Sequence, residues 1–248
     1  MNEVINEILA SGEVRNEAGE VIPLHSAISK EEGELLFDTI SSDSSVRKTL
    51  EVGCAYGVSS LYICEAIKGR TEGHHTMIDP FQKTQWAGVG IHNLKQAGFG
   101  NFELIEEKSE FGLPGLLKDG EERFHFVLID GWHTFDHALV DCFYAARLLA
   151  VGGYLAVDDV DFPAVRRVID YLLNYPCFEF CGANAYSRPR SLRRSVARTA
   201  LSVVPSRFRP RIFNRSLLTR LDPGSQSMAI LKKVSEDDRN WDWYSNGF

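Results

Sequence analysis

Two apolar runs of the sequence end in carboxylates, and the first of them is followed by a histidine. Asp130 ends the first run, and Asp158 and Asp159 end the second. Carboxylates at the ends of adjacent strands cannot all stay ionised close together without a counter-charge, so this pattern predicts a bound divalent cation. An all-oxygen ligand set favours Mg²⁺. His133 lies three residues after Asp130, where an imidazole can remove a proton at neutral pH, and we predict it as the general base.

A second pattern is a glycine-bearing turn between an apolar run and a helix-like stretch. Gly53 and Gly57 allow a close backbone approach to a ligand, and the helix start behind them offers free N–H groups. A dinucleotide site typically reads G-x-G-x-x-G, whereas this turn reads G-x-x-x-G with Glu51 in front of it, which suits a cationic ligand better than a pyrophosphate. Asp79 follows Gly57 by 22 residues and ends the next run, where a carboxylate can bind both hydroxyls of a ribose.

Short apolar runs alternate with stretches of helical spacing over most of the chain. This alternation predicts a doubly wound α/β fold with a mostly parallel, seven-stranded Rossmann-like sheet and a last antiparallel strand. The predicted strands are Thr49–Gly53, His75–Asp79, Phe102–Glu106, Phe124–Asp130, Tyr154–Asp158, Phe178–Cys181 and Ser227–Val234. The predicted helices are Lys30–Ile40, Val58–Lys68, Thr84–Ala97, Phe111–Lys118, Phe135–Leu149 and Phe162–Asn174. Ligands of such sheets bind at the carboxyl ends of the strands, where the acidic residues collect.

Two segments outside this alternation complete the predicted domain organisation. Residues 1–48 form an N-terminal helical cover of the ligand edge or a dimer element, and residues 49–186 form the core. Residues 187–224 are an Arg-rich insertion, and residues 225–248 hold the last core strand and a C-terminal tail. Within the insertion, Ser187–Arg220 contains ten arginines and no acidic residue, so the net charge of −7 for the whole chain becomes −17 without it.

The glycine turn and the carboxylate at the end of the next strand resemble the first two motifs of class I S-adenosylmethionine-dependent methyltransferases. In that family an E-x-G-x-x-x-G turn wraps the methionine part of the cofactor, which makes residues 49–186 the cofactor-binding core. The resemblance gives the ribose to Asp79 and the other cofactor contacts to Glu51, Gly53, Gly57, Ser59 and Asp130. The structural alternative is a tight turn at the two glycines and a helix cap at Asp79.

The carboxylate runs resemble those of metal-dependent O-methyltransferases. A histidine in place of a lysine is closer to the enzymes that methylate macrolide sugars and to their cephalosporin-biosynthesis relatives. The resemblance spans residues 26–174 and the last strand, and it implies Asp130, Asp158 and Asp159 as ligands of Mg²⁺ or another divalent cation, with His133 as the base. Two alternatives stay open, since Asp130 also ends this strand in metal-free methyltransferases and the acidic pair is placed to cap the following helix.

The Arg-rich insertion has several alternative functions. As a lid, it would offer arginine guanidinium groups to a phosphorylated or carboxylated substrate. As a surface anchor it would bind anionic lipid, and as a nucleic-acid-binding segment it would bind backbone phosphates. The stretch Leu192–Val204 has weak amphipathic character, so we favour a lid that also contacts a membrane. The acidic charge of the remaining chain argues against nucleic acid, and a loosely ordered solvated loop is the structural alternative.

These observations predict an S-adenosylmethionine-dependent O-methyltransferase. The resemblance favours a small hydroxylated acceptor, either a sugar or glycosylated natural product or an anionic molecule. Two rivals stay open: an NAD-dependent oxidoreductase on a Rossmann fold, disfavoured by the missing middle glycine, and a membrane- or partner-binding protein that acts through the insertion. The N-terminal segment suggests a homo-oligomer. No apolar run is long enough to span a membrane and the acidic start lacks the features of a secretory signal, so we expect a cytoplasmic protein with peripheral membrane contact.

Overall fold

The structure, a computed structural model, describes residues 2–118, 123–183 and 227–243. The N-terminal part holds helix α1 (Glu3–Ser11), a hairpin of strands β1 (Glu13–Arg15) and β2 (Val21–Pro23), and helix α2 (Lys30–Ser41). The later strands are β3 (Lys48–Val52), β4 (His74–Ile78), β5 (Phe102–Ile105), β6 (Phe124–Ile129), β7 (Leu149–Val157), β8 (Phe178–Ala183) and β9 (Ala229–Lys233). The helices among them are α3 (Val58–Ile67), α4 (Val89–Gln96), α5 (Ser109–Lys118), α6 (Phe135–Leu148) and α7 (Pro163–Leu172).

Strands β3 to β9 form one sheet of seven strands in the order β5-β4-β3-β6-β7-β9-β8. Strands β3 to β7 pair in parallel, and β9 lies antiparallel between β7 and β8. Helices α1 to α4 pack on one face of this sheet and α5 to α7 on the other. The predicted fold class, a doubly wound and mostly parallel sheet with a last antiparallel strand, is confirmed.

The central strands are buried on both faces because helices cover both. Leu50 and Val52 of β3 pack toward the α5–α7 layer, so Glu51 between them faces the α3 side. In the same way Phe126 and Leu128 of β6 pack toward the α1–α4 layer. A strand that is apolar on both sides reads as a continuous run without alternation, which explains why these strands stand out in the sequence.

The register of the parallel strands brings their carboxyl ends to one edge of the sheet. Val52 lies opposite Ile78 and Ile129, and Ile129 lies opposite Val157. The residues that follow these four strand ends therefore lie next to one another: Gly53, Asp79, Asp130 and Asp158. The sheet thus assembles one edge from positions that are up to about a hundred residues apart in the chain.

The largest differences between the structure and the sequence predictions lie in three places. Helix α4 begins at Val89 and not at Thr84, because Ala87 and Gly88 have left-handed φ values of 51° and 69° that interrupt a helix. Strand β7 begins at Leu149, five residues earlier than predicted. The N-terminal cover contains the β1–β2 hairpin in addition to its helices, since Asn16 and Gly19 close a turn between two short runs.

Most of the predicted Arg-rich insertion, with all of Ser187–Arg220, lies outside the described residues. The predictions of a lid, an anchor or a loop for it therefore stay predictions. Among the residues that the structure does describe, no helix combines the length and apolar character needed to cross a bilayer.

Candidate active site

A cavity of about 800 Å³ opens at the carboxyl ends of β3, β4, β6 and β7. Its volume falls within the roughly 300–1,000 Å³ range of small-molecule and cofactor sites. Residues 25–28 and Glu32 of the N-terminal part form one of its walls. Seven predicted site residues line it: Gly53, Ser59, Asp79, Asp130, His133, Asp158 and Asp159. The other two, Glu51 and Gly57, are not among the lining residues that the structure describes.

The glycine turn is built by close backbone contacts. Gly53 has φ +91°, and a Cβ atom there would collide with the backbone oxygen of Asp130. Gly57 has φ +77°, and a Cβ atom there would lie 2.9 Å from the backbone of Gly90. Gly57 is also the N-cap of α3 and provides no side-chain cap, so the first N–H groups of that helix are left for another acceptor. The turn therefore offers backbone donors next to the cavity.

The close contact at Gly53 gives a stability prediction. Gly53→Ala should cost about 2–5 kcal/mol, because it combines the left-handed φ with a backbone collision against the end of β6. Gly152→Ala is the matched control, since Gly152 has φ +90° but nothing within 4 Å of a Cβ atom, and it should cost about 1–2 kcal/mol. Urea denaturation of both variants measures the difference. Equal losses of stability would show that the contact with Asp130 is unimportant.

Glu51 supports the turn from behind the cavity. Its carboxylate is fully buried and accepts hydrogen bonds from the hydroxyls of Ser59 and Ser60. The Nε2 atom of His75 lies 3.0 Å from the same carboxylate. These contacts tie the end of β3 to the first turn of α3, so they hold Ser59 at the cavity wall. The sequence pattern assigns Glu51 to the cofactor itself, and direct contact with a cofactor stays a prediction.

Asp79 joins the two loops that flank the nucleoside end of the predicted cofactor site. Its Oδ2 accepts hydrogen bonds from the N–H groups of Cys54 and Ala55 at 3.2 and 2.8 Å and from Gln82 at 3.1 Å. Its Oδ1 accepts the N–H of Phe81 at 2.8 Å, which leaves acceptor capacity on that oxygen. Helix α4 begins ten residues later, so the alternative of a helix cap at Asp79 is wrong. Binding of a ribose stays a prediction.

The three aspartates of the predicted cation site do come together. One carboxylate oxygen from each of Asp130, Asp158 and Asp159 lies within 4.8 Å of the others. Burial, and then the nearby carboxylates, raise the pKa of Asp130 well above its usual range and the pKa of Asp158 to about 8. The alternative that the acidic pair caps α7 is wrong, since the N-cap residue of that helix is Phe162 and no side-chain hydrogen bond caps the helix start.

His133 lies beside this cluster in an orientation suited to a base. Its Nδ1 atom is 3.0 Å from Oδ2 of Asp159, and its ring stacks on Phe162 with centroids 5.4 Å apart. The bond to Asp159 raises the pKa of His133 above its ordinary value and directs the Nδ1 proton to the carboxylate. Nε2 is then left with a lone pair that can accept a proton from a ligand.

The donor set fits a hard divalent cation. All three clustered side chains offer oxygen, and Oδ1 of Asp158 is buried without a hydrogen-bond partner among the described residues. A buried carboxylate oxygen with no donor is costly, and a cation supplies what the protein does not. Carboxylate oxygens gathered within 4.8 Å of one another are the ligand type that Mg²⁺ and similar hard cations prefer.

Several cavity residues are not among the predicted site residues. The hydroxyl of Tyr56 lies 3.0 Å from Nδ1 of His25, and the indole of Trp86 packs on the Tyr56 ring at 5.1 Å. These three rings form an aromatic cluster in the cavity wall. Glu32 also lines the cavity. The sequence pattern Ser29-x-x-Glu32 is typical of a helix start, and the helix that begins there, α2, places Glu32 at the cavity.

A buried carboxyl group just behind the cavity gives a prediction for pH. Asp141 of α6 is 1% exposed, and burial raises its pKa to about 6 against the opposing effect of Ser109. The folded protein thus holds this proton more tightly than the unfolded chain, so stability falls as pH rises from about 4 to 6. Asp141→Asn removes this penalty. The free energy of unfolding of the variant minus that of the wild type should therefore be about 2 kcal/mol larger at pH 8 than at pH 4.

Urea denaturation at both pH values measures this effect. Asp136→Asn is the control of opposite sign, because the hydroxyl of Thr134 lowers the pKa of the exposed Asp136 and its ionised form favours the fold. A pH-independent difference between wild type and Asp141→Asn would contradict the prediction.

The sequence was compared with models of known protein families. Residues 50–160 match the model of a family described as a methyltransferase domain. This span begins in β3 and ends just after Asp159, so it contains the glycine turn and all three clustered aspartates. A search of curated proteins finds no significant match.

Solved structures with the same fold include methyltransferases of different acceptors. The O-methyltransferase TomG of Streptomyces achromogenes, involved in tomaymycin synthesis and solved with S-adenosylmethionine, is 17% identical, with a TM-score of 0.63 over 95% of this chain and 91% of that chain. An O-methyltransferase of Bacillus cereus solved with S-adenosylhomocysteine is 17% identical, with a TM-score of 0.61 over 75% and 86%. An rRNA methylase of Streptococcus thermophilus is 14% identical, with a TM-score of 0.53 over 85% and 100%. At these identities the likeness concerns the fold.

Proposed function

We propose that this chain, whose residues 50–160 match a methyltransferase domain, is a class I, S-adenosylmethionine-dependent methyltransferase that methylates a hydroxyl group of a small molecule with the help of a divalent cation. The observation that carries this proposal is the cluster of Asp130, Asp158 and Asp159 beside His133 on the cavity. Amino-group methylation does not require such a cluster, because an amine is already nucleophilic when neutral. A hydroxyl needs its proton removed.

The cofactor is proposed to bind along the glycine turn. Gly53 and the first N–H groups of α3 would face the methionine end, with the hydroxyl of Ser59 held at the cavity wall by Glu51. The free acceptor capacity on Oδ1 of Asp79 would receive a ribose hydroxyl. The acidic cavity favours the positively charged sulfonium over a neutral or anionic cofactor, because Lys108 is the lone Lys or Arg side chain among its described lining residues.

The catalytic step is proposed to depend on proton removal by His133. Asp130, Asp158 and Asp159 would hold Mg²⁺ or a similar cation, which when bound lowers the pKa of the acceptor hydroxyl and orients it. Nε2 of His133 takes the hydroxyl proton, while Asp159 holds Nδ1–H and stabilises the imidazolium that forms. S-adenosylmethionine held along the glycine turn would supply the methyl group to the deprotonated oxygen, with the neutral thioether as leaving group.

The acceptor is proposed to be a sugar, a glycosylated natural product or another small hydroxylated molecule. The cavity is large enough for the cofactor and part of such an acceptor. A neutral acceptor suits the acidic cavity better than an anionic one, unless the ten arginines of Ser187–Arg220 supply the counter-charge. The aromatic ring of Trp86 offers a surface on which a sugar ring can stack.

The test uses S-adenosylmethionine labelled with ¹³C in the methyl group and a panel of sugars, glycosides and phenols. We expect Mg²⁺-stimulated label transfer to oxygen, identified by the carbon chemical shift of the product. Transfer to nitrogen or carbon would contradict the proposed acceptor atom. Full activity in excess chelator would leave a methyltransferase that needs no cation.

Peripheral membrane contact is a second proposal, supported by the ten arginines of Ser187–Arg220. Co-sedimentation with anionic vesicles should be lost when that segment is deleted, and neutral vesicles should not bind. We also propose a cytoplasmic location and a homo-oligomer. Analytical ultracentrifugation of the full chain tests whether it is an oligomer.

A further inference from the structure

Glu32 brings a fourth carboxylate to the cavity from the N-terminal part of the chain. It is the third residue of α2, where its Oε2 accepts the N–H of Ser29 at 2.6 Å and the hydroxyl of Ser29 at 2.8 Å. These bonds fix the side chain and leave Oε1 without a hydrogen bond to a described residue. Glu32 is only 6% exposed, and it lines the same cavity as the three aspartates.

A capping carboxylate is normally a surface group, and this one is not. In an isolated capping box the glutamate needs only to reach back to the N-cap residue, and its second oxygen points to water. Here Oε1 of Glu32 belongs to a buried side chain that lines the cavity of the aspartates. The negative charge of Glu32 contributes to the raised pKa values of Asp130 and Asp158. The four carboxylates therefore share one electrostatic environment.

Among the described residues, His133 is the basic group that contacts these carboxylates, and it contacts Asp159 alone. Oδ1 of Asp158 is buried and unpartnered within the described residues, and the cavity's one described Lys or Arg side chain, Lys108, lies 3.7 Å from a different acid, Glu110. A divalent cation at the three aspartates would leave a net negative charge, and Glu32 would add to its attraction. An outer carboxylate of this kind raises cation affinity without direct coordination.

We propose that Glu32 is an outer-shell anion of the cation site and couples cation binding to the start of α2. The inference rests on the cation site proposed above. Oε1 of Glu32 would accept a hydrogen bond from the hydration shell of the cation, while Oε2 keeps its bonds to Ser29. Cation binding thus restrains the capping box, and with it residues 25–28 that form a cavity wall. Glu32 is a positioning residue in this scheme, since it reaches the reacting atoms only through others.

The test compares two isosteric variants in the full chain by calorimetric titration with Mn²⁺. Glu32→Gln removes the charge but keeps an oxygen for the cap, so the fold should persist. Glu31→Gln is the matched control, because Glu31 lies one residue earlier in the same turn and is exposed. We expect Glu32→Gln to weaken Mn²⁺ binding about tenfold or more and Glu31→Gln to change it less than about twofold. Glu32→Asp, which keeps the charge, should retain most of the affinity.

Hydrogen exchange of the amide of Ser29 gives a readout that is independent of activity. Mg²⁺ should slow this exchange in the wild type and in Glu31→Gln, and should have little effect in Glu32→Gln. Equal Mn²⁺ affinity in wild type and Glu32→Gln would overturn the inference while the cation site stands. Absence of Mn²⁺ binding in the wild type would instead remove the cation site and this inference with it.

Discussion

Replacing Asp158 and Asp159 together with asparagine is expected to abolish cation-stimulated methyl transfer and to lower kcat at least about 100-fold. The two carboxylates supply most of the charge that holds the cation, and loss of a cation that lowers the pKa of a hydroxyl removes several kcal/mol of transition-state stabilisation. Each 1.36 kcal/mol corresponds to about a factor of ten in rate. The measurement is the rate of label transfer across a range of Mg²⁺ concentrations.

The same double variant should become more stable at neutral pH in the absence of a cation. Burial and neighbouring charges raise the pKa of Asp158 to about 8, so its ionisation opposes folding as pH rises toward that value. Two asparagines remove this penalty, and a melting temperature above that of chelator-treated wild type would exclude simple unfolding as the cause of lost activity. Asp136→Asn, an exposed aspartate at the start of α6, is the control and should leave the rate unchanged. Wild-type turnover in the double variant would contradict the cation site.

His133→Ala is expected to lower kcat by about 10²–10⁴-fold and to leave the affinity for S-adenosylhomocysteine within about twofold. The imidazole is the described base that both lines the cavity and is oriented by a carboxylate of the aspartate cluster. It has no assigned contact with the cofactor, so binding and turnover should separate. Single-turnover kinetics and calorimetry measure the two quantities.

His137→Ala is the matched control for this variant. His137 also lines the cavity, but the contacts described for it are with Thr134, at 2.8 Å from its Nδ1 atom, with Asp136 and with the Trp132 ring, and not with the clustered aspartates. It should retain kcat within a few-fold. Turnover of His133→Ala at the wild-type rate would remove His133 from the mechanism, and a parallel loss in His137→Ala would indicate a general disturbance of α6.

The sheet and its ligand edge could be predicted because their signals are local. Each central strand is a short apolar run bounded by a glycine or an acid, and the parallel order then aligns Asp79, Asp130 and Asp158 without further information. The acidic pair after β7 and His133 after β6 lie close together for the same reason. Residue type at a strand end was therefore sufficient to predict the cluster.

Other parts depend on contacts between distant segments and could not be predicted. The sequence shows that Ser29 and Glu32 can begin a helix, but it does not show that this helix start faces Asp158. Glu51 looks like a cofactor ligand by its position in the motif, yet its neighbours Ser59, Ser60 and His75 occupy its oxygens in the described structure. Which groups a buried carboxylate meets is decided by packing between elements, and a one-dimensional pattern does not contain it.

Calorimetric titration of the full chain with S-adenosylhomocysteine and, separately, with NAD⁺, each in Mg²⁺ and in chelator, tests the central claim most directly. We predict that S-adenosylhomocysteine binds in the micromolar range in both conditions, because the glycine turn and Asp79 are independent of the cation, and that NAD⁺ does not bind. Binding of NAD⁺ without binding of S-adenosylhomocysteine would contradict the account, since the turn from Gly53 to Ser59 would then serve a pyrophosphate.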